Sequence, residues 1–267
     1  MSNALVRNPV GVFDSGVGGL SVLREIQREL PHESFIYIAD SAYAPYGERP
    51  EGYIRERAGT LARILYANGA KAIVVACNTA TAAAVTFLRF GYGGKIPIVA
   101  IEPAVKPAAA ATRSGVVGVM ATSATLASEN LLRLVGQYPA PGSTEMQACP
   151  GLVEQIEKGD LSSAATRALV ENYVRPLVAK GADTIVLGCT HYAFVEPLIL
   201  EVAGPGVTVI DPAPAVAREL RRRLAAASRL APDDAVASER YLTTGDASQA
   251  ARVMSQLLGR DVSVTRV

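Results

Sequence analysis

Two of the three cysteines lie in matching local sequences. Cys77 and Cys189 each close a short apolar run, and each precedes small or hydroxyl-bearing residues. At the start of a helix, unpaired backbone N–H groups lower the pKa of a thiol and make a thiolate base accessible near neutral pH. For either cysteine alone, packing as a small buried apolar side chain is the simpler interpretation. The matching contexts favour a chemical role for the pair.

Two thiols on opposite sides of a cleft suit the inversion of a carbon centre. A thiolate removes a proton from one face of the carbon, and a thiol delivers a proton to the opposite face. One thiol must start ionised and the other protonated, so the titration belongs to the pair. A further charge beside either thiol would help to set that state.

The elements that position these cysteines alternate along the chain. Short β-branched runs alternate with longer stretches of helical period, which is typical of the α/β class with mainly parallel sheets. Ligands of such sheets bind at the carboxyl ends of strands, where both cysteines are expected. We predict strands over residues 9–13, 34–39, 72–76, 96–101, 116–120, 184–187, 207–210 and 240–243. We predict helices over residues 20–30, 53–67, 80–90, 124–135, 162–178 and 213–227.

A weak internal repeat indicates two similar α/β halves. Gly-Val-Phe-Asp-Ser-Gly at residues 11–16 recurs loosely as Gly-Val-Met-Ala-Thr-Ser at residues 118–123. Val-Ala-Cys-Asn-Thr-Ala at residues 75–80 recurs as Leu-Gly-Cys-Thr-His-Tyr at residues 187–192. The repeat places one cysteine at the same point of each half.

Composition excludes several classes of protein. The 267 residues are 49% hydrophobic, which rules out a disordered chain, and the net charge of +1 argues against nucleic-acid or membrane-surface binding. Four arginines within residues 218–223 are interpreted as a solvated helix face. No apolar run is long enough to span a membrane, and no secretory signal is visible, so we expect a cytoplasmic protein. The odd, widely spaced cysteines suit free thiols, and Cys149, which lacks a matching partner, is assigned to packing.

Six motifs together resemble those of the glutamate racemases, in the cofactor-independent aspartate/glutamate racemase superfamily. They are Asp-Ser-Gly-Val-Gly-Gly-Leu-Ser-Val at 14–22, Pro-Tyr-Gly at 45–47, Ala-Cys-Asn-Thr-Ala-Thr-Ala at 76–82, Thr-x-x-Thr at 122–125, Gly-Cys-Thr-His-Tyr at 188–192 and Asp-Pro-Ala at 211–213. The resemblance implies two pseudosymmetric α/β domains with the active site in the cleft between them. We assign residues 1–99 and 212–267 to the first domain and residues 100–211 to the second.

The resemblance also implies roles for individual residues. Cys77 would be the base toward D-glutamate and Cys189 the base toward L-glutamate. Asp14, whose simpler role is a helix cap, would lie beside the first thiol. His191 would assist the second thiol together with Glu157. Two assignments stay open, because Glu154 could replace Glu157 and Asp40 supports the first side in some members.

The resemblance further implies a site with neutral donors, no metal and no cofactor. The expected substrate-binding residues are Asp14, Ser15, Tyr46, Gly47, Asn78, Thr79, Thr122, Thr190 and His191, with Thr125 as a further donor. Tyr43 could help Tyr46 to wall the site. The chain departs from the family mainly at Ala193, where members commonly have proline.

The expected function is interconversion of L- and D-glutamate by the two thiols, which supplies D-glutamate for peptidoglycan. The expected assembly is a homodimer. The alternatives are an aspartate racemase, another two-cysteine isomerase, or a non-enzymatic metal-binding or regulatory protein on the same fold. A pyridoxal-phosphate racemase is disfavoured because no phosphate-binding motif is present.

Overall fold

Ten strands form two separate sheets in the computed structural model, which describes residues 3–267. The strands are β1 (Val10–Asp14), β2 (Phe35–Ala39), β3 (Ala72–Val75), β4 (Ile98–Ala100), β5 (Val116–Ala121), β6 (Ser143–Ala148), β7 (Thr184–Leu187), β8 (Thr208–Ile210), β9 (Glu239–Thr243) and β10 (Val264–Arg266). The first sheet has the order β10-β9-β2-β1-β3-β4, and the second has the order β6-β5-β7-β8. Every strand pair is parallel.

Helices connect the strands. They are α1 (Asn3–Arg7), α2 (Leu20–Glu29), α3 (Glu51–Ala67), α4 (Asn78–Tyr92), α5 (Val105–Ala111), α6 (Ser123–Leu126), α7 (Glu129–Gln137), α8 (Leu152–Glu157), α9 (Ala164–Ala179), α10 (Glu196–Ala203), α11 (Ala213–Ala226) and α12 (Ala247–Leu258). A 3-10 helix, Thr190–Val195, follows β7. Within the described residues, no helix is both long and apolar enough to cross a membrane.

The two sheets share one strand order, which confirms the predicted α/β class with mainly parallel sheets. The order β2-β1-β3-β4 in the first sheet corresponds to β6-β5-β7-β8 in the second. The repeated sequence segments lie at β1 and β5 and after β3 and β7, which are the two central strands of each four-strand unit. The internal repeat therefore reflects a repeated arrangement of strands.

Continuous apolar sequence explains the central strands. Every residue of β1, β2, β3 and β7 is buried, as expected for parallel strands covered by helices on both faces. The first sheet has one apolar cluster on each face, and α2 contributes Leu20, Leu23 and Ile26 to one of them. These layers fix the carboxyl ends of the strands, and polar loops follow those ends in both halves.

Several elements differ from the prediction for identifiable reasons. The helix predicted over residues 124–135 is two helices, because the Ser128 hydroxyl accepts a hydrogen bond from the Leu131 N–H and starts α7. The strand β6 was not predicted because its sequence, Ser-Thr-Glu-Met-Gln-Ala, is polar and only partly buried. The short edge strand β10 lacks an apolar run in the same way. Five helices, α1, α5, α8, α10 and α12, were also not predicted.

Candidate active site

The two cysteines occupy equivalent positions in the two halves. Cys77 follows β3 and is the N-cap of α4, where its Sγ accepts a hydrogen bond from the Ala80 N–H at 3.4 Å. Cys189 follows β7 and precedes the 3-10 helix Thr190–Val195. Both side chains are buried, with 5% and 7% of their surfaces exposed. Each thiol therefore lies at a strand end and a helix start, as the sequence predicted.

The surroundings of Cys77 favour a protonated thiol. Burial and, to a smaller extent, the nearby charge of Asp14 raise the pKa of Cys77 to about 12. The hydrogen bond from the Ala80 N–H and the Ser15 hydroxyl, whose Oγ lies 3.7 Å from Sγ, lower the pKa by less. Desolvation raises the pKa of this thiol by more than the helix start lowers it, contrary to the expectation from the sequence.

Cys189 belongs to a chain of three polar groups. Its Sγ lies 3.7 Å from Nδ1 of His191, whose Nε2 lies 2.6 Å from Oε1 of Glu157. Burial lowers the pKa of His191, but its hydrogen bonds with Cys189 and Glu157, and the charges of both, raise it well above the ordinary value. An imidazolium beside a thiol stabilises the thiolate. The second thiol therefore has a cationic partner that the first lacks.

The second half packs against the glycine-rich turn after β1. The Val17 N–H donates a hydrogen bond of 2.7 Å to Oε1 of Glu157, the same oxygen that contacts His191. A Cβ atom at Gly16 would lie 1.8 Å from that oxygen, and a Cβ atom at Gly18 would lie 2.2 Å from Nδ1 of His191. A side chain at either position would displace the carboxylate or the imidazole, because both pack directly against the backbone.

Asp14 is fully buried at the end of β1 and accepts three hydrogen bonds. Its Oδ1 accepts from the Gly16 N–H at 2.8 Å and from the Ser15 hydroxyl at 3.1 Å, and its Oδ2 accepts from the Thr190 hydroxyl at 2.9 Å. Burial raises the pKa of Asp14, while the charge of His191 and these hydrogen bonds lower it in part. The Thr190 bond joins this carboxylate to the second half.

A cluster of threonine hydroxyls joins the halves on the Cys77 side. Thr79 Oγ1 lies 3.0 Å from Thr122 Oγ1 and 3.2 Å from Thr125 Oγ1, and the Thr122 hydroxyl donates to Thr125 at 3.0 Å. Next to Thr79, the amide oxygen and nitrogen of Asn78 are buried and have no hydrogen-bond partner among the described residues. A buried amide without partners points to a polar ligand that would complete its hydrogen bonds.

Four of the residues singled out in the sequence lie outside this arrangement. The carboxylate of Asp40 accepts hydrogen bonds from Arg57 and from the Tyr46 hydroxyl. Tyr43 packs under Arg57, with the guanidinium carbon 3.6 Å from the ring centroid. Glu154 makes no hydrogen bond to His191, whereas Glu157 does. Cys149 is buried, with its Sγ 3.4 Å from the Gln147 carbonyl oxygen.

Three residues near the site were not predicted from the sequence. The Ser21 hydroxyl donates to the Thr190 carbonyl oxygen at 3.1 Å, and the Tyr37 hydroxyl donates to the Gly16 carbonyl oxygen at 2.7 Å. Arg57 is the third. Ser21 lies inside the glycine-rich motif, which could have indicated it, whereas Tyr37 and Arg57 lie in an ordinary strand and helix. Across the described residues, no group of three His, Cys, Asp or Glu side chains is placed to hold a metal ion.

Comparison with known proteins places this site in a family context. The model of the Asp/Glu/Hydantoin racemase family matches residues 10–220. Glutamate racemase of Stutzerimonas stutzeri is 54% identical over 256 residues, with 96% of each chain covered. Glutamate racemase of Methylococcus capsulatus is 52% identical over 250 residues, covering 94% of this chain and 92% of that protein.

Solved structures give the same result. Glutamate racemase isoform RacE1 of Bacillus anthracis superposes with a TM-score of 0.88 at 35% identity, covering 98% of both chains. Glutamate racemase of Escherichia coli, solved with L-glutamate and the activator UDP-MurNAc-ala, superposes with a TM-score of 0.84 at 31% identity, covering 97% of both chains. The similarity therefore extends over both halves and the cleft between them.

Proposed function

This chain belongs to the Asp/Glu/Hydantoin racemase family, and from this premise we propose that it interconverts L-glutamate and D-glutamate. Curated glutamate racemases are more than half identical to it over nearly its whole length, which supports glutamate as the substrate. The observation that carries the proposal is the pair of buried thiols at equivalent strand ends of the two halves. The enzyme is an isomerase, and its product serves peptidoglycan synthesis.

In the L-to-D direction, Cys189 is the base and Cys77 is the acid. The Cys189 thiolate removes the proton from Cα, so the C–H bond breaks, an S–H bond forms and the electron pair stays on the substrate as a carbanion. The Cys77 thiol then protonates the opposite face of Cα and becomes a thiolate. The D-to-L direction follows the same steps in reverse, with Cys77 as the base.

The neighbours of each thiol support these starting states. The raised pKa of Cys77 favours the protonated form that L-glutamate requires. His191, held by Glu157, places positive charge beside Sγ of Cys189. We infer that the free enzyme rests in the state that is ready for L-glutamate.

Neutral donors hold the substrate in this proposal. Both amide atoms of Asn78 are without partners and so can hydrogen-bond the substrate. The Thr79 hydroxyl contacts that of Thr122 from the other half, and the Ser15 hydroxyl lies near Sγ of Cys77. Thr190 donates to Asp14, which we assign to the substrate ammonium or to proton movement at the first thiol. Hydrogen-bond donors at the two helix starts complement the two carboxylates of glutamate.

The test combines isotope exchange with cysteine variants. L-Glutamate incubated with the purified protein in deuterated water should lose optical rotation while deuterium enters Cα. The variants Cys77→Ser and Cys189→Ser should each lose at least about 1000-fold in kcat, because a serine hydroxyl is a far weaker base than a thiolate. Cys149→Ser is the matched control, since it removes a third buried thiol and should retain activity. Near-normal turnover in either site variant would exclude the two-thiol mechanism.

A parallel incubation separates the substrate from the mechanism. L-Aspartate should show no loss of rotation under the same conditions. Racemisation of aspartate alone would keep the two-thiol mechanism and make the enzyme an aspartate racemase. Absence of exchange with both amino acids would favour another two-cysteine isomerase or a non-enzymatic protein on this fold.

We also propose that the enzyme is a cytoplasmic homodimer of two-domain chains. The first division lies near the expected residues 99/100 but after β4, because Ala100 pairs with β3 of the first sheet, and the second lies at residues 211/212. Exposed aromatic side chains on the adjoining helices α3 and α4, namely Tyr66, Phe87 and Phe90, are available to bury against a second copy. Sedimentation equilibrium over a range of concentrations tests the dimer, and a constant monomer mass would overturn it.

A further inference from the structure

A buried ion pair lies next to the site and has no role in the mechanism above. Asp40 directly follows β2, and its N–H donates to the Asp14 carbonyl oxygen at 3.0 Å. Its side chain is fully buried, and Arg57 of α3 approaches it with two nitrogens. Nη2 donates to Oδ1 at 2.8 Å and Nε donates to Oδ2 at 3.0 Å. The Tyr46 hydroxyl also donates to Oδ2. We call these three residues, Asp40, Tyr46 and Arg57, the Asp40 cluster.

The Asp40 carboxylate makes its hydrogen bonds within the Asp40 cluster and none to either thiol. Both oxygens accept hydrogen bonds from the guanidinium or the phenol, and neither thiol is among their partners. The hydrogen bond with Asp40 raises the pKa of Arg57, so the guanidinium stays charged at any physiological pH. A two-pronged guanidinium contact is strongly directional, which makes it suited to fixing a position.

The cluster fixes the loop that carries Gly47. Tyr46 is buried, and the residue after it, Gly47, packs against the second half: its carbonyl oxygen accepts from the Ala124 N–H at 3.2 Å. A Cβ atom on Gly47 would lie 3.0 Å from Cβ of Thr122. Arg57 also packs over the ring of Tyr43, at 3.6 Å, and so contacts the other end of this loop.

We propose that Arg57 is a positioning residue for substrate binding. Through Asp40 and Tyr46 it holds loop 43–47 so that Gly47 and Thr122 meet one carboxylate of glutamate, and Asp40 takes no part in proton transfer. This inference rests on the proposed function. Because the same loop serves both enantiomers, its loss weakens the binding of L- and D-glutamate equally.

The test uses Arg57→Lys, which keeps the charge and loses the two-pronged contact, and Tyr46→Phe, which removes a single hydroxyl. KM should rise by about tenfold for both enantiomers, while kcat stays within about twofold of the wild type. The equilibrium constant between enantiomers is unity, so equal kcat values in the two directions require equal KM values. A fall in kcat that differs between directions would show a proton-transfer role and overturn the inference.

A matched control separates positioning from general stability. Lys71 and Glu33 form another buried ion pair of the same half. They lie at the amino ends of β3 and β2, which is the end of the sheet opposite the thiols. Lys71→Met should lower Tm and leave both KM values unchanged. If Tyr46→Phe and Arg57→Lys also lower Tm without changing KM, the Asp40 cluster is merely structural and the inference fails. If Arg57→Lys does not fold, Tyr46→Phe decides alone.

The wild-type enzyme distinguishes this inference from the proposed function. Racemisation by the wild type together with unchanged KM in the variants overturns only the role of Arg57. Absence of racemisation by the wild type overturns the proposed function, and calorimetric titration with L-glutamate then tests Arg57 as a residue that positions a binding loop. Loss of binding in the variants would support that role, and unaltered binding would exclude it.

Discussion

The two site cysteines share a position in the fold but differ in the charges around them. Cys77 has Asp14 nearby, and burial with this negative charge raises the pKa of the thiol to about 12. Cys189 has His191, whose own pKa is raised by its contacts with Cys189 and Glu157. The two thiols therefore have neighbours of opposite charge.

Alkylation by iodoacetamide at pH 7 should modify Cys189 before Cys77. The thiolate is the reactive form, and each unit by which a pKa exceeds the pH lowers its fraction about tenfold. Both thiols are similarly buried, so accessibility does not favour either one. Peptide mapping by mass spectrometry should show Cys189 labelled at least about tenfold faster, with Cys149 unlabelled.

Two further measurements test the cause of that preference. Glu157→Gln removes the negative charge that holds the His191 imidazolium, so the Cys189 rate should fall. Raising the pH should increase the Cys77 rate, since its thiolate becomes available as the pH approaches about 12. Faster labelling of Cys77 than of Cys189 at pH 7 would reverse the assignment of the resting state.

At the scale of elements, the second half packs against the turn after β1. Its backbone N–H at Val17 donates to Glu157, and its glycines leave room for Glu157 and His191. Packing between the halves therefore explains the glycines of this motif. They let one half of the molecule approach the other at the distance of a hydrogen bond.

Gly18→Ala should reduce kcat by about 100-fold or more. The added Cβ would lie 2.2 Å from Nδ1 of His191, so the imidazole must move away from the thiol it assists. Gly136→Ala in α7 is the control, because no atom lies within 4 Å of the added Cβ. That control should keep full activity and gain about 0.5–1 kcal/mol in the free energy of unfolding. Unchanged kcat in Gly18→Ala would show that the position of His191 is not critical.

The sequence predicted the elements that are buried and the residues that belong to motifs. β1, β3 and β7 have continuous apolar sequences, and Cys189, His191 and Glu157, which the motifs singled out, form one chain of contacts. The polar strand β6 was missed because it has no local apolar pattern. It is a strand because it pairs with β5. Arg57 was missed for a related reason: its partner, Asp40, becomes its neighbour only when α3 packs on the sheet.

At the scale of the whole molecule, the halves are joined by hydrogen bonds between buried groups. Thr190 donates to Asp14, Val17 donates to Glu157, and the hydroxyls of Thr79 and Thr122 meet. These bonds link residues that are far apart in sequence and lie around both thiols. Proton affinities in the site and the stability of the fold are consequently linked.

The free energy of unfolding should fall as the pH rises from 8 to 11, in part through Cys77. Its pKa is raised from an ordinary value near 9.0 to about 12 in the folded protein, so the folded state binds the proton more tightly. The resulting stabilisation is complete below the unfolded value and is lost as the pH rises through the window between them. By pH 11 the loss amounts to about 2–3 kcal/mol.

Urea unfolding of the wild type and of Cys77→Ser at pH 8 and pH 11 checks this linkage. Serine does not ionise in this range, so the variant should lose less stability than the wild type over the same interval. Cys149→Ser provides a comparison with a thiol outside the site, whose pKa burial also raises. Equal losses in the wild type and Cys77→Ser would mean that the Cys77 thiol is not held protonated by the fold.

The order of strands in the first sheet also has a consequence for how the protein is made. All four strands of the second sheet lie between residues 116 and 210, whereas β9 and β10, which follow residue 238, pair beside β2. During synthesis the second sheet is therefore complete while the edge of β2 still lacks its neighbour. An unpaired parallel edge is prone to association with other chains. The nascent enzyme is thus most vulnerable to aggregation until the segment that carries β9 and β10 has left the ribosome.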